Sequence, residues 1–364
     1  MSAALSHTCA IRSDGTLACW GENSSGETNA VAGSFVQISS AELHNCARAS
    51  SGAVSCFGYT EWVPPLFPPP QPGTFRMVSA GGLHTCGVLS DATITCWGDG
   101  EFFGENFPAG PNSNYRSVDS GWRHVCAVRN DDSAVCWGSD SNGQAPVPPS
   151  NEPVPIHYTL ISQVSAGGLH SCGLHTNGTV ECWGLSTSGQ TNAPTGTFVE
   201  VQTGWAHSCA RRVDGTVACW GADNASQVSD TPTTPFAEIS AGYFHNCGIV
   251  LATGAVECWG DDQFDQSSPL PGDYRAATAQ AALTSLAGQV TALGGTVAKP
   301  LLASMTGASM RLNDGNPAND KAACGKLGAT RNKLAEFVAT DRIDDATGLS
   351  LIGQTVAIRN QIGC

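Results

Sequence analysis

The sequence predicts an all-β seven-bladed β-propeller over residues 1–278, with one hairpin disulfide per blade, followed by a small all-α domain of about four helices over 279–364. Three observations carry this expectation. A short pattern, His-x-Cys followed by a turn and then Cys-aromatic-Gly, occurs seven times. The segment that precedes it in later copies is missing at the N-terminus and returns at 272–279. After about Ala279 the texture changes to Ala and Leu at helical spacing.

The copies begin at His7, His44, His84, His124, His170, His207 and His245, with 37 to 46 residues between successive histidines. Self-similarity at such a period marks a repeat fold. Each unit opens with an alternating segment that ends in small residues, such as "GTFRMVSAGG" (73–82) or "GTFVEVQTGW" (196–205). The His-x-Cys run, a turn and the run into Cys-Trp-Gly follow, and a polar loop closes the unit. Period-two alternation, β-branched residues and turn clusters specify strands. Three or four short strands in about forty residues make one propeller blade.

Turn geometry assigns the cysteines. Cys9 and Cys19 are symmetric about Asp14, so they face each other across a three-residue hairpin loop, Ser13-Asp14-Gly15. Such a loop wants a left-handed residue at its third position, where Gly15, Gly52, Gly178 and Gly215 stand. Ala92 and Asp132 fill that position less comfortably, and the seventh copy, one residue longer, takes a four-residue loop before Gly254. Directly opposed residues on antiparallel strands lie within disulfide reach. The expected pairs are Cys9–Cys19, Cys46–Cys56, Cys86–Cys96, Cys126–Cys136, Cys172–Cys182, Cys209–Cys219 and Cys247–Cys258. Zinc knuckles and redox Cys-x-x-Cys spacings are absent from the sequence.

Both chain ends supply the closing blade. "MSAALSH" aligns with "VSAGGLH" (78–84), and "GDYRAATA" (272–279) aligns with "GTFRMVSA" (73–80). Residues of about 272–279 are therefore expected to pair with the first repeat. Beyond them, 281–295 place Leu283, Leu286, Val290 and Leu293 on one stripe and end in Gly-Gly, a helix stop. Pro300 and Pro317 suit the starts of two further helices, and a fourth runs to Cys364. Cys324 and Cys364 remain as the eighth pair.

The net charge is −14, and no lysine precedes Lys299, so the acidity belongs to the repeats. An acidic array repels phosphate backbones, which excludes nucleic acid as a natural partner. Sixteen paired cysteines imply an oxidising compartment. The sequence shows no leader and no apolar run long enough for a membrane span; we read it as an exported, secreted or cell-surface protein, acting as a monomer, whose leader is not in this sequence.

The repeats "GGLHTCGVLSDATITCWG" and "GWAHSCARRVDGTVACWG" resemble those of the regulator of chromosome condensation superfamily. The short period and sevenfold count are similar to beta-lactamase inhibitory protein II, and the cysteine pairs to the extracellular repeats of Crinkly-type plant receptor kinases. The resemblance covers residues 1–280 and implies the fold. Members of the superfamily do unrelated jobs, so it does not imply one function.

The repeat histidines are expected to be buried and bonded to the neighbouring blade's backbone, because seven points around a ring are too far apart to share one metal ion. Trp20, Trp97, Trp137, Trp183, Trp220, Trp259 and their substitute Phe57 read as blade core. Aromatics that do not recur are more informative. Two places before the histidine the copies read Leu5, Glu42, Gly82, Trp122, Gly168, Trp205 and Tyr243, and the next place adds Arg123 and Phe244. Equivalent positions of a ring share one face, and Trp, Tyr and Arg dominate binding hot spots. In the inhibitor protein that the array resembles, aromatics on the corresponding loops grip the partner enzyme. The candidate partner-binding residues are therefore Trp122, Arg123, Trp205, Tyr243, Phe244 and Glu42; the alternative is that they fill the central funnel.

The acidic loop 261–266 lacks a calcium-loop pattern. The proline-rich loops 59–73 and 139–157 read as stiff surface connections. Asn23, Asn177 and Asn224 are glycosylation acceptors only in a eukaryotic secretory host. No phosphate loop, nucleophile elbow or zinc motif occurs, and no cofactor or metal is implied. The expected function is a non-enzymatic, exported binding module for a protein or cell-surface partner. Two alternatives are a structural or adhesive envelope protein tethered by the helical domain, and an inhibitor of a secreted enzyme such as a beta-lactamase.

Overall fold

A computed structural model describes residues 1–59, 73–98, 114–146, 160–274, 295–312 and 320–340, with isolated positions elsewhere after residue 274. Seven three-stranded antiparallel sheets follow one another along the chain. In the first, Ser2–Ala3, His7–Ile11 and Leu17–Gly21 pair in sequence order. In every sheet the middle strand starts at the repeat histidine and the third ends at the glycine of Cys-aromatic-Gly. These sheets are the blades of a β-propeller, and the ends of their first strands line an axial cavity.

The hairpin between middle and third strands explains the cysteine spacing. Cys9 sits opposite Cys19, and the register holds in all seven blades. All seven hairpin disulfides are formed, with Cα atoms 4.0–4.1 Å apart. Gly15 takes φ +86° at the third loop position, and Ala92 and Asp132 are held at +67° and +64° in the same place. In the seventh blade Val250 N–H reaches Ala255 O across a four-residue loop, with Gly254 left-handed.

The glycine that ends each blade is equally constrained. Gly221 has φ +106°, and a Cβ there would stand 2.7 Å from the carbonyl oxygen of Ala206 and 2.8 Å from the Cα of His207. Both are backbone atoms that cannot swing aside. Gly221→Ala is therefore expected to cost about 1–3 kcal/mol or more, read as a lowered urea midpoint at unchanged slope.

Blades join through a staggered relay. The N–H of the residue opening each new blade donates to the hairpin-turn carbonyl of the blade before: Phe35 to Gly15, Phe75 to Gly52, Phe198 to Gly178 and Phe236 to Gly215. Tyr274 makes the same bond to Gly254, and Ser13 N–H reaches Asp273 O. Fully buried, Tyr274 packs among Ala10, Ala18 and Trp20 of the first blade and Cys247 and Ile249 of the seventh. Ala3 N–H also donates to Ser240 Oγ, and Tyr243 N–H to Ala4 O, so the last blade contacts the first. The remainder of 272–279, expected to pair here, lies outside the described residues.

The C-terminal part differs from the expectation of about four helices. Two are described, α1 (Gly295–Leu312) and α2 (Asp320–Ala339). The first starts at Gly295 and carries Pro300 inside it rather than at its start. Pro300 lies past the first turn, whose N–H groups have no intrahelical partner, so the helix forgoes one backbone hydrogen bond there. Leu301, Met305, Leu327, Leu334 and Phe337 form the core, joined by Leu286, Val290, Leu351 and Ile358 from helical positions in segments otherwise outside the described residues. Cys324 is disulfide-bonded, while Cys364, its expected partner, lies outside the described residues.

Candidate functional site

Each repeat histidine is buried. The backbone partners expected for them are not what the rings find; a side chain of the next blade takes the bond. His7 Nε2 lies 2.9 Å from Asn45 Oδ1, His44 Nε2 2.8 Å from Thr85 Oγ1, and His124 Nε2 2.8 Å from Ser171 Oγ. His170, His207 and His245 do the same with Ser208, Asn246 and Thr8, the last spanning the seventh and first blades. These partners pass the bond on to a loop carbonyl: Thr8 to Gln266, Asn45 to Glu27, Ser171 to Gln144, Ser208 to Gln190 and Asn246 to Gln227. A hydroxyl that donates onward must accept from the imidazole, which assigns the proton to Nε2.

The indoles of the Cys-Trp-Gly motif join the same carbonyls. Trp20 Nε1 donates to Gln266 O and Trp220 Nε1 to Gln190 O. Sequence reading missed both halves of this node. The signal was present: a polar residue directly follows the histidine in six copies, and Glu27, Gln144, Gln190, Gln227 and Gln266 recur at matching loop positions.

The six candidate contact residues converge. Trp122 and Trp205 meet edge-on with ring centroids 4.9 Å apart, Tyr243 tilts against Trp205 at 4.8 Å, and Phe244 lies 6.4 Å from Tyr243. Arg123 lays its guanidinium over Trp122, 4.2 Å from the ring centroid. Trp122 also donates its indole N–H to Glu42. All six are half-buried. They sit where the first strands end, and Glu42, Trp122 and Tyr243 line the mouth of the axial cavity.

Glycines in neighbouring blades make room for this cluster. A Cβ on Gly82 would stand 2.6 Å from the Trp122 ring, and one on Gly168 2.8 Å from the Trp205 ring. Small and large residues are thus complementary around the mouth, a relation invisible when the seven positions are read as one column. The environment is acidic and poorly hydrated. Burial raises the Glu42 carboxyl above its ordinary range against the pull of the Trp122 N–H, and burial together with the Glu42 charge raises the Tyr243 phenol. Among the described residues no cluster of His, Cys, Asp or Glu is arranged to hold a metal ion, and no helix is long and apolar enough to cross a membrane.

With this geometry in view, five segments match the regulator of chromosome condensation (RCC1) repeat: residues 2–27, 77–104, 115–144, 161–190 and 198–227. Five of the seven blades thus carry a segment that matches the RCC1 repeat. Its fold is similar to the ectodomain of the Physcomitrella patens receptor kinase CR4, at 24% identity and TM-score 0.58 over 71% of this chain and 73% of that one. It is also similar to the CRINKLY ectodomain of the Arabidopsis thaliana receptor kinase ACR4, at 24% identity and TM-score 0.57 over 74% and 97%. Saccharomyces cerevisiae Prp20p, which binds Gsp1p and histones, shares the fold at 17% identity and TM-score 0.55 over 66% and 80%. No curated protein sequence matches the chain.

Proposed function

We propose that this RCC1-like propeller is an exported, non-enzymatic binding module that recognises a protein or cell-surface partner through the aromatic mouth of its axis. The observation that carries the reading is the cluster Trp122–Trp205–Tyr243, flanked by Arg123, Phe244 and Glu42, on one face of a disulfide-stapled ring. Half-buried aromatics already held by one another lose little side-chain entropy on binding, which suits a pre-organised recognition surface. Two further observations support the surrounding claims. Similar propellers form receptor ectodomains, and seven hairpin disulfides suit an oxidising environment.

The test is affinity capture from the native extracellular fraction, comparing wild type with Trp122→Ala/Trp205→Ala/Tyr243→Ala at matched Tm and free-thiol content. A partner retained by wild type and lost at least tenfold by the variant is the expected result. Equal capture by both would assign the cluster to filling the funnel.

A further inference from the structure

Below the aromatic mouth the axial cavity has a volume of about 110 Å³, room for several waters or a small organic ion. One position, five residues before the repeat histidine, rings its wall. It is serine in five blades, Gln202 in the sixth and Asp119 in the fourth.

The serines have a structural task. Ser39 Oγ accepts the N–H of Ala80 in the next blade at 2.9 Å, Ser79 Oγ that of Ser120 at 2.9 Å, and Ser240 Oγ that of Ala3 at 2.9 Å. Asp119 performs the same task with one oxygen: Oδ2 accepts the N–H of Ala166 at 2.8 Å. Its other oxygen accepts the Ser79 hydroxyl at 3.0 Å, and the Ser165 hydroxyl and Ser120 N–H also donate to the carboxylate, which supplies hydrogen bonds but no opposite charge. A hydroxyl suffices at this position in five blades, so the negative charge of Asp119 is surplus to holding the ring. Nor does the cavity neutralise it. Among the described residues no lysine or arginine lines the wall, and the second carboxyl there, Glu42, is also acidic. A half-buried carboxylate on a cavity wall without a counter-charge is unfavourable, and a cationic ligand offsets that.

We propose that the axial cavity binds a small primary alkylammonium ion, with its head on Asp119 and its alkyl chain directed toward Trp122 and Tyr243. An ammonium head offers three N–H donors. Here it meets a carboxylate within a ring of hydroxyl oxygens, and the aromatic mouth supplies apolar contact to the chain. The site is independent of whether the outer face of the mouth binds a macromolecule.

The experiment titrates the full chain with n-butylammonium chloride at constant ionic strength, following tryptophan fluorescence and heat. Sodium chloride and n-butanol serve as controls. Saturable binding by wild type, weakened at least tenfold in both Asp119→Asn and Asp119→Ser, is expected. Asp119→Ser installs the residue that five other blades use, and Asp119→Asn keeps an acceptor for Ala166, so at least one variant should melt like wild type. No saturable binding by wild type, equal affinity in a folded variant, or equal binding of n-butanol would overturn the proposal. A parallel titration with Nα-acetyl-lysine methylamide separates the two sources of this chemistry. Binding tighter than butylammonium makes the source a partner's lysine, and weaker binding makes it a free amine; both support the site.

Discussion

Acidification from pH 7 to pH 5 is expected to lower the Tm of the intact, oxidised protein by roughly ten degrees or more. The cause is the histidine belt. Burial holds His44, His170 and His245 down to about 3 and His124 and His207 to about 4, with His7 and His84 lowered for the same reason. In the unfolded chain each imidazole takes its proton near 6.5. The unfolded state therefore binds more protons than the folded state below that pH, and stability falls as pH falls. The loss begins near 6.5 and is complete only below the folded values of 3–4. Each histidine contributes about 1.4 kcal/mol per pH unit within that window.

The geometry explains why the rings resist protonation. Nε2 already carries the proton that bonds the next blade, so the second proton must go to Nδ1. In His124, His170, His207 and His245 that nitrogen is buried with no hydrogen-bond partner among the described residues. Gly121, Gly204 and Gly242 press against these rings: a Cβ on Gly204 would stand 2.6 Å from His207 Nδ1. Two effects oppose the trend. Asp119, raised by burial to about 6, and Glu42 and Glu200, also raised by burial, take protons in the folded state first. Acid also relieves self-repulsion in a chain of net charge −14. Three carboxyls against seven imidazoles leave the sign with the histidines. A Tm that is flat or rising between pH 7 and 5 would refute the argument.

The parts of this fold that were legible in the sequence are those that repeat within one blade. Cys9 and Cys19 could be placed opposite each other because a three-residue loop and period-two pairing leave no other register. Relations between blades were harder to read, since they join positions about forty residues apart with no local pattern. The polar residue that follows the histidine in six copies has its partner one blade away, as Asn45 shows by accepting from His7 of the preceding blade. Gly82 and Gly168 share a column with Trp122 and Trp205 with no local sign of their relation; in the structure each glycine is the space its neighbour's indole fills. Asp119 was passed over because it replaces a serine without breaking the alternation. The helical part was least legible because Pro300 falls within α1 and no repeat checks the boundaries.

Reduction of the seven hairpin disulfides is expected to unfold the propeller at neutral pH and room temperature. Each bond closes a loop with a sequence separation of 10 residues, 11 in the seventh blade. Loop-closure entropy assigns each about 2–3 kcal/mol, and seven such contributions exceed the roughly 5–15 kcal/mol by which domains are ordinarily stable. The half-cystines are also core. Cys9, Cys46, Cys86, Cys126, Cys172 and Cys247 are fully buried. Cys172 packs with Phe198, Val201, Ala210 and Trp220 where the fifth and sixth blades meet. Burial has a kinetic consequence as well: Cys9–Cys19 and Cys126–Cys136, with both cysteines buried, should be reduced more slowly than the five bonds whose third-strand cysteine is half-buried. Removing one bond by Cys172→Ala/Cys182→Ala should lower the unfolding free energy by about 2–3 kcal/mol and leave the other six blades oxidised. Thiol titration alongside far-ultraviolet circular dichroism reads both outcomes. A fully reduced chain that keeps its native spectrum and Tm would show that packing alone holds the blades, and would remove the main physical reason for placing this protein outside a reducing cytosol.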